Sequence, residues 1–370
     1  MGLLTAHISR LRDTIAQSEA SGSERTAAVV GADVPVELLA ACGFSARRLR
    51  GDPEQPTPDA DRYLGNGVDA SIRSIFQQLV NAEPDAFDAI VISNDNASHF
   101  RLYYALEAFQ RLLPDWNRGR APLRFFDLLH LPGAPTAEYN MVRAAQLRDA
   151  LQDCSEEALV EAIKERNVLR AQLVRLRDLR RERRVRGSDM LVIYRAFAIL
   201  SPERFGSLLP AVLEAAADTK PIADTPIFLT GSAQDHDEYY REIEANGMII
   251  VGEDHDWGDR ICDAPVQQSA SDPLAMLIER YRSGTPASAK FTTRARADYT
   301  AARARESGAD ALVALVRRDD PAPRWDIPRQ RDSVAPLPLI LMDDLPYACT
   351  AAGTFGREVA AAIDAARALV

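Results

Sequence analysis

Short apolar runs that end at a glycine or a polar loop, each followed by a helical pattern, constrain this chain more than any other feature. The first is Thr26-Ala27-Ala28-Val29-Val30-Gly31. Runs this short, rich in β-branched residues and apolar on both alternating sets, read as strands covered on both faces of a parallel sheet. Residues 88–93 form the clearest run of the first half, with 46–49 and 123–126 beside it. Residues 227–231, 248–251, 311–316 and 337–342 repeat the layout in the second half, without a residue-level repeat between the halves. Strand–loop–helix alternation means βαβ units. The expected fold is α/β, with two doubly wound (Rossmann/flavodoxin-like) parallel-sheet domains joined by helices.

Helix signals fit that frame. Residues 1–24 read as an amphipathic helix with a polar end. Pro35 opens a helix that stops at Gly43, the usual asymmetry of helix boundaries. In 70–80, Ile72, Ile75, Phe76 and Leu79 share one face. Ser155 is placed to cap a long helix, with Glu156 and Glu157 at its positive end. Further helices are read at 190–200 and 204–217. Pro53, Pro56 and Pro58 mark 52–61 as a loop. A length of 370 residues exceeds what one core usually supports. The expected division is an N-terminal α/β domain at 1–150, connecting helices at 151–220 and a C-terminal α/β domain at 221–370.

Composition excludes some classes. Hydrophobic residues at 46% and charged residues at 26% are ordinary globular values. A net charge of −10 argues against a nucleic-acid partner. No run approaches the ~18 apolar residues of a membrane span. Residues 1–12 lack the pattern of a secretory leader, so the expected compartment is the cytoplasm and no membrane partner is expected. Cys42, Cys154, Cys262 and Cys349 lie far apart in sequence, without CxxC-like spacing, and are expected to be free packing thiols.

Several polar clusters compete with simpler explanations. Glu253, Asp254, His255, Asp256 and Asp259 fit a hard-metal or acid–base site, but a solvated loop is the preferred reading. Loops after strands rim the ligand crevice of α/β sheets, which keeps His255 and Arg260 as site candidates. Gly231 and Ser232 precede Asp235, His236, Asp237 and Glu238, where helix capping by acids is preferred. Ser98 and His99 are adjacent and lack a GxSxG elbow, so a serine cap in a turn is preferred to a nucleophile–base pair. The run Arg175, Arg177, Arg180, Arg181, Arg183, Arg184 and Arg186 reads as a solvated helix face, with nucleic acid or coenzyme A phosphates as alternatives. No Walker A or GxGxxG loop follows a strand, so ATP and NAD have no support.

The order of several segments resembles the 2-hydroxyacyl-CoA dehydratase / benzoyl-CoA reductase family, in the manner of the 2-hydroxyglutaryl-CoA dehydratase D-component. Gly31 to Gly43 followed by Arg47-Arg48-Leu49 is similar to the family's opening, with its Pro-Xaa-Glu-Leu helix start at Pro35. Residues 88–93 match the strand before one family cysteine. Asn167 and Arg170 sit where the connecting helix commonly carries Asn and Arg. Phe228-Leu229-Thr230-Gly231, the acidic loop from Asp254 to Arg260, Asp272-Pro273 and Tyr281 follow in order. The resemblance spans about residues 27 to 365.

The resemblance implies an acyl-CoA ligand, a paired related subunit and a [4Fe–4S] cluster held by cysteines from three separated loops. Soft thiolates are what such a cluster requires. By position those cysteines fall near Asp69, Asn96 and Arg318–Asp319, and none is cysteine here. The expectation is therefore no cofactor in this chain, with a cluster only in a partner. The chain is read as a cluster-free subunit of a dehydratase- or reductase-like complex, as a heterodimer with a related subunit or a homodimer. The alternative is a stand-alone acyl-CoA or small-molecule binder without redox chemistry. Expected substrate-binding residues are Arg73, Asn96, Ser98, His99, Gly231, Ser232, His255 and Arg260, and catalytic residues are unassigned.

Overall fold

The computed structural model describes residues 2–20, 25–152, 154–267, 272–286, 289–350 and 353–368. Strands β1 (Thr26–Val30), β2 (Ser45–Arg48), β3 (Ala89–Ser93) and β4 (Leu123–Phe126) form one sheet in the order β2-β1-β3-β4. Strands β5 (Thr225–Gly231), β6 (Met248–Glu253), β7 (Ala311–Arg317) and β8 (Leu339–Leu345) form a second sheet in the order β6-β5-β7-β8. Every neighbouring pair is parallel. The two halves thus share one strand order, and the expected α/β architecture of two doubly wound sheets is what the chain adopts.

Period-two alternation explains why the central strands are apolar throughout. Ala27, Val29, Ala89 and Val91 face a core shared with the helix Val36–Ala41, while Ala28, Val30, Ile90 and Ile92 face the helices Ala70–Asn81 and Ala97–Leu112. In the second sheet Ile227, Leu229, Val313 and Leu315 pack on Tyr239, Tyr240 and Phe355, and Phe228 and Leu312 pack on Ala301 and Ala304. A further core joins Leu4, Ile8 and Leu11 of the leading helix to Leu173, Leu176, Met190, Phe205 and Leu209. The cores do not follow chain order. Leu274, Leu277, Ile278 and Tyr281, from the helix Pro273–Ser283, complete the core that contains Leu38 and Val91.

Some local expectations change. The leading helix is Leu3–Ala20, and residues 21–24 lie outside the described residues. Part of the expected loop at 52–61 is the helix Pro58–Tyr63, because proline in a first helical turn loses no hydrogen bond. The helix after β3 is capped by Asn96, whose Oδ1 accepts from the Ser98 and His99 amides at 2.9 and 3.0 Å, so Ser98 is not the cap. Ser155 does cap the helix Glu156–Arg181, accepting from the Ala158 amide at 3.1 Å. All four cysteines are free, as expected. No described helix is long and apolar enough to cross a membrane.

Candidate functional site

The C-terminal ends of β1, β3, β5, β6 and β7 converge on a cleft of about 180 Å³ between the sheets. Glycine ends the first strand of each half for a steric reason. Gly31 has φ +100°, and a Cβ there would lie 2.1 Å from Ser93 Oγ and 2.6 Å from Asp95 Oδ2. Gly231 has φ +109°, and its Cβ would lie 2.3 Å from the Leu315 carbonyl oxygen. Only glycine tolerates both the conformation and the close approach.

Of the sequence-expected residues, Asp69, Asn96, His99, Gly231, His255 and Arg260 line the cleft. Arg73, Ser98, Ser232 and Asp319 stand outside its lining. Arg73 pairs with Asp61 at 2.7 Å and Asp319 at 3.4 Å. Ser98 Oγ accepts from the Asp69 amide at 3.3 Å. Ser232 is buried and its Oγ accepts from the Arg317 amide at 3.0 Å, a contact that fixes the end of β7.

Both histidines are buried. His255 is engaged at each ring nitrogen: Nδ1 accepts from the Trp257 amide at 3.2 Å, and Nε2 meets the Tyr240 hydroxyl at 2.6 Å. An accepting Nδ1 puts the ring proton on Nε2, and the ring is neutral. Burial and the nearby arginines Arg317 and Arg180 press its pKa down to about 3. His99 Nδ1 lies 3.7 Å from Asp95 Oδ2, beyond hydrogen-bond distance, and burial lowers its pKa despite that carboxylate.

The acidic loop is not solvated, contrary to the preferred sequence reading. Glu253, Asp254, His255 and Asp259 are all buried. Arg180 explains how acids survive there: it is fully buried and donates to Glu253 at 2.7 Å and to Asp259 at 2.6 Å. The arginine run is therefore split. Arg177 and Arg180 turn inward, Arg175 and Arg183 are exposed, and the expectation of one solvated face fails at the inward pair. Helical periodicity puts residues three apart on one face, and that face is the buried one.

Several cleft residues were not among the expected substrate contacts. Asp254 accepts from the Thr300 hydroxyl and from Thr230, yet burial outweighs these bonds and raises its carboxyl to about 6. Gln330 Nε2 reaches Thr230 Oγ1 at 3.1 Å and Thr300 Oγ1 at 3.3 Å. Asp235 crosses between the sheets to the Gly51 amide at 2.8 Å. Arg48 stacks on Trp257 at 4.1 Å and donates to the Asp256 carbonyl at 2.7 Å. Arg317 donates to Asp69 at 2.6 Å, and this partner outweighs burial and holds the Asp69 carboxyl below its usual range. The signal for Arg48 was present in the basic pair after Gly43. Arg317 stood one residue before a position already singled out.

The positions where the resemblance places cluster cysteines fail a donor test. Asp69 is committed to Arg317 and to its helix cap at the Ser71 amide, Asn96 to its own helix cap, and Asp319 to Arg73. Carboxylate and amide oxygens are hard donors and do not stand in for iron-binding thiolates. The four cysteines do not line this cleft. Among the described residues no group of three or more His, Cys, Asp or Glu is arranged to hold a metal ion. These residues do not fit an iron–sulfur cluster.

The family model described as 2-hydroxyglutaryl-CoA dehydratase, D-component, matches residues 32–331. No curated protein matches the chain.

Proposed function

Because the chain belongs to the 2-hydroxyglutaryl-CoA dehydratase D-component family, we propose that it is a cluster-free subunit of a 2-hydroxyacyl-CoA dehydratase- or benzoyl-CoA reductase-like complex and binds an acyl-CoA thioester in the cleft. The observation that carries this reading is the Asp69–Arg317 pair: a buried ion pair stands where the resemblance places the first cluster cysteine, while the cleft beside it stays open. Electron transfer then belongs to a partner subunit. This chain's contribution is to bind and orient the acyl group and to exclude water from it.

Size and charge support that division. About 180 Å³ is small beside the ~300–1,000 Å³ of pockets that enclose drug-sized ligands, so an acyl end fits and the nucleotide end of the thioester stays outside. Arg48 and Arg260 place positive charge beside the space for a thioester oxygen. Asp254, at about 6, is the cleft carboxyl suited to exchanging a proton near neutral pH. The proposed substrate contacts are Asn96, His99, Gly231, His255 and Arg260. Arg73, Ser98 and Ser232 act by fixing the loops that carry them. The partner surface we favour is the ring cluster Phe100, Tyr103 and Tyr104, where Phe100 and Tyr104 remain 42% and 49% exposed.

Melting the full chain with a panel of short-chain and aromatic acyl-CoA thioesters tests the ligand assignment. Binding to the folded state raises the melting temperature by mass action. A rise with at least one thioester, absent with free coenzyme A, is expected. No shift across the panel at millimolar concentration contradicts it.

A further inference from the structure

Behind the cleft lies a second cavity of about 80 Å³, and Arg48 and Arg260 line both spaces. Arg166, Arg170 and Arg280 complete its cationic wall. Arg166 and Arg170 project one turn apart from the helix Glu156–Arg181 and are 3% and 2% exposed. Arg280 comes from the helix Pro273–Ser283.

Two acids, Asp33 and Asp256, line the cavity beside these five arginines; Asp95 and Asp235 act on Arg48, and Glu165 acts on Arg166. Glu37 accepts from Arg170 and from the Tyr281 hydroxyl, the latter at 2.8 Å. Asp256 pairs with Arg260. Asp33 is held by His130 Nε2 at 2.7 Å and lies 3.9 Å from Arg260. Among the described residues no carboxylate is in contact with Arg166 or Arg280, although both act on Glu37 at longer range. Arg166 donates to the Phe197 carbonyl at 2.9 Å and lies 4.5 Å over the Phe197 ring, and its buried Nε has no partner among the described residues. The buried Nε of Arg170 is unpartnered as well. Among the described residues Arg280 donates to the Ala264 and Ile261 carbonyls, at 3.0 and 3.1 Å.

Burial pushes the Arg166 guanidinium below its ordinary value and Arg280 down to about 10. The same excess of cations is visible from Glu37: burial opposes its ionisation, but Arg170, Arg280 and Arg166 together hold it down at about 2. A buried cation without a counter-charge is unfavourable, and an anion brought beside it relieves that penalty. One water needs on the order of 10–15 Å³ of such space, so the cavity admits a few water-sized groups and not a ring system.

We propose that this arginine cavity binds a compact oxyanion, a carboxylate or phosphate group, carried by a ligand whose other end lies in the cleft. Planar guanidinium forks match either group. The inference goes beyond the thioester reading, because the oxyanion site exists whatever links it to the acyl end. Within that reading, where the nucleotide phosphates stay outside, it narrows the ligand to one that carries a further anionic group at its buried end.

The test is melting and calorimetric titration of the full chain with glutarate or with inorganic phosphate, at ionic strength held constant with sodium chloride. A saturable, oxyanion-specific rise in melting temperature is expected. Response to glutarate alone assigns a carboxylate, and response to phosphate alone assigns a phosphate. Arg166→Met should weaken that binding about tenfold or more. Its melting temperature without oxyanion should stay close to the parent's, because the buried charge that goes has no carboxylate in contact, while its support of Glu37 and of the Phe197 carbonyl goes with it. Arg166→Lys, which keeps the charge and loses the fork, should also weaken binding, and it carries the comparison if the methionine variant does not fold. Absence of any oxyanion-specific rise in the parent, or undiminished binding in the folded variant, overturns the proposal. Oxyanion binding without thioester binding would leave this inference standing and remove the thioester reading. Thioester binding with no oxyanion response would do the reverse.

Discussion

Arg317, the last residue of β7, donates through Nη2 to Oδ2 of Asp69 at 2.6 Å, and so ties the second sheet to the loop that starts the helix Ala70–Asn81 in the first. Arg317 also donates to the Ala233 carbonyl, and Asp69 accepts from the Ser71 amide at 2.9 Å. Arg73 to Asp319, at 3.4 Å, runs parallel to it at the protein surface. Two of the three positions where the family resemblance calls for cysteine are thus members of ion pairs that cross between the halves.

Removing one partner of the buried pair should be strongly destabilising. Asp69→Ala takes the contacting carboxylate from Arg317, on which Asp320 and Asp235 act more weakly, and breaking a buried pair costs ~3–5 kcal/mol in urea unfolding. Replacing both, as Asp69→Leu with Arg317→Met, should cost less than the sum of the single changes. The sign with pH follows from the lowered Asp69 carboxyl. Its stabilisation is present above the ordinary aspartate value of 3.8 and is lost as pH falls through the lower folded value. The parent's advantage over Asp69→Ala should therefore shrink only in strong acid.

Asp254 should behave oppositely. Its folded value of about 6 lies above the ordinary 3.8, so its contribution is full below 3.8 and is lost as pH rises through 6. Asp254→Asn keeps the acceptor for Thr300 and removes the ionisation. Unfolding at a series of pH values should show the variant more stable at pH 8, by up to about 3 kcal/mol, and equal to the parent near pH 4. A variant less stable at every pH would contradict the assigned protonation.

The partner surface is tested by co-expression with a cysteine-bearing relative, followed by size exclusion with light scattering. A complex is expected, and a stable one should bury at least ~1,000 Å². Phe100→Ser with Tyr104→Ser should disperse it without changing the melting temperature of the isolated chain, because both rings are half exposed. A strict monomer under all conditions would favour the stand-alone binder.

The strands were legible because their requirements are local. A run such as Ala89–Ser93 must be apolar on both faces, and glycine must follow β1 because Ser93 and Asp95 crowd its Cα. The helix Thr293–Glu306 was missed because alanine and arginine alternate in it with little apolar contrast. The cleft was half legible. Asp69, Asn96 and His255 were found from strand ends and resemblance, and the cleft does gather them. Burial of Glu253 and Asp259 was not legible, because their neutralising partner Arg180 is 73 and 79 residues away and resembles its solvated neighbours in sequence. Asp254 was misread for the same reason: its acceptor role depends on Thr300, 46 residues on.

Oxygen donors tied up in ion pairs and helix caps stand where the resemblance calls for cluster-binding thiolates, and the proposed function rests on their holding no cluster. Anaerobic purification, reconstitution with iron and sulfide, and assay of iron and acid-labile sulfide per chain test it most directly. Neither element is expected in stoichiometric amount after gel filtration. About four irons and four sulfides per chain, the content of a [4Fe–4S] cluster, would contradict it.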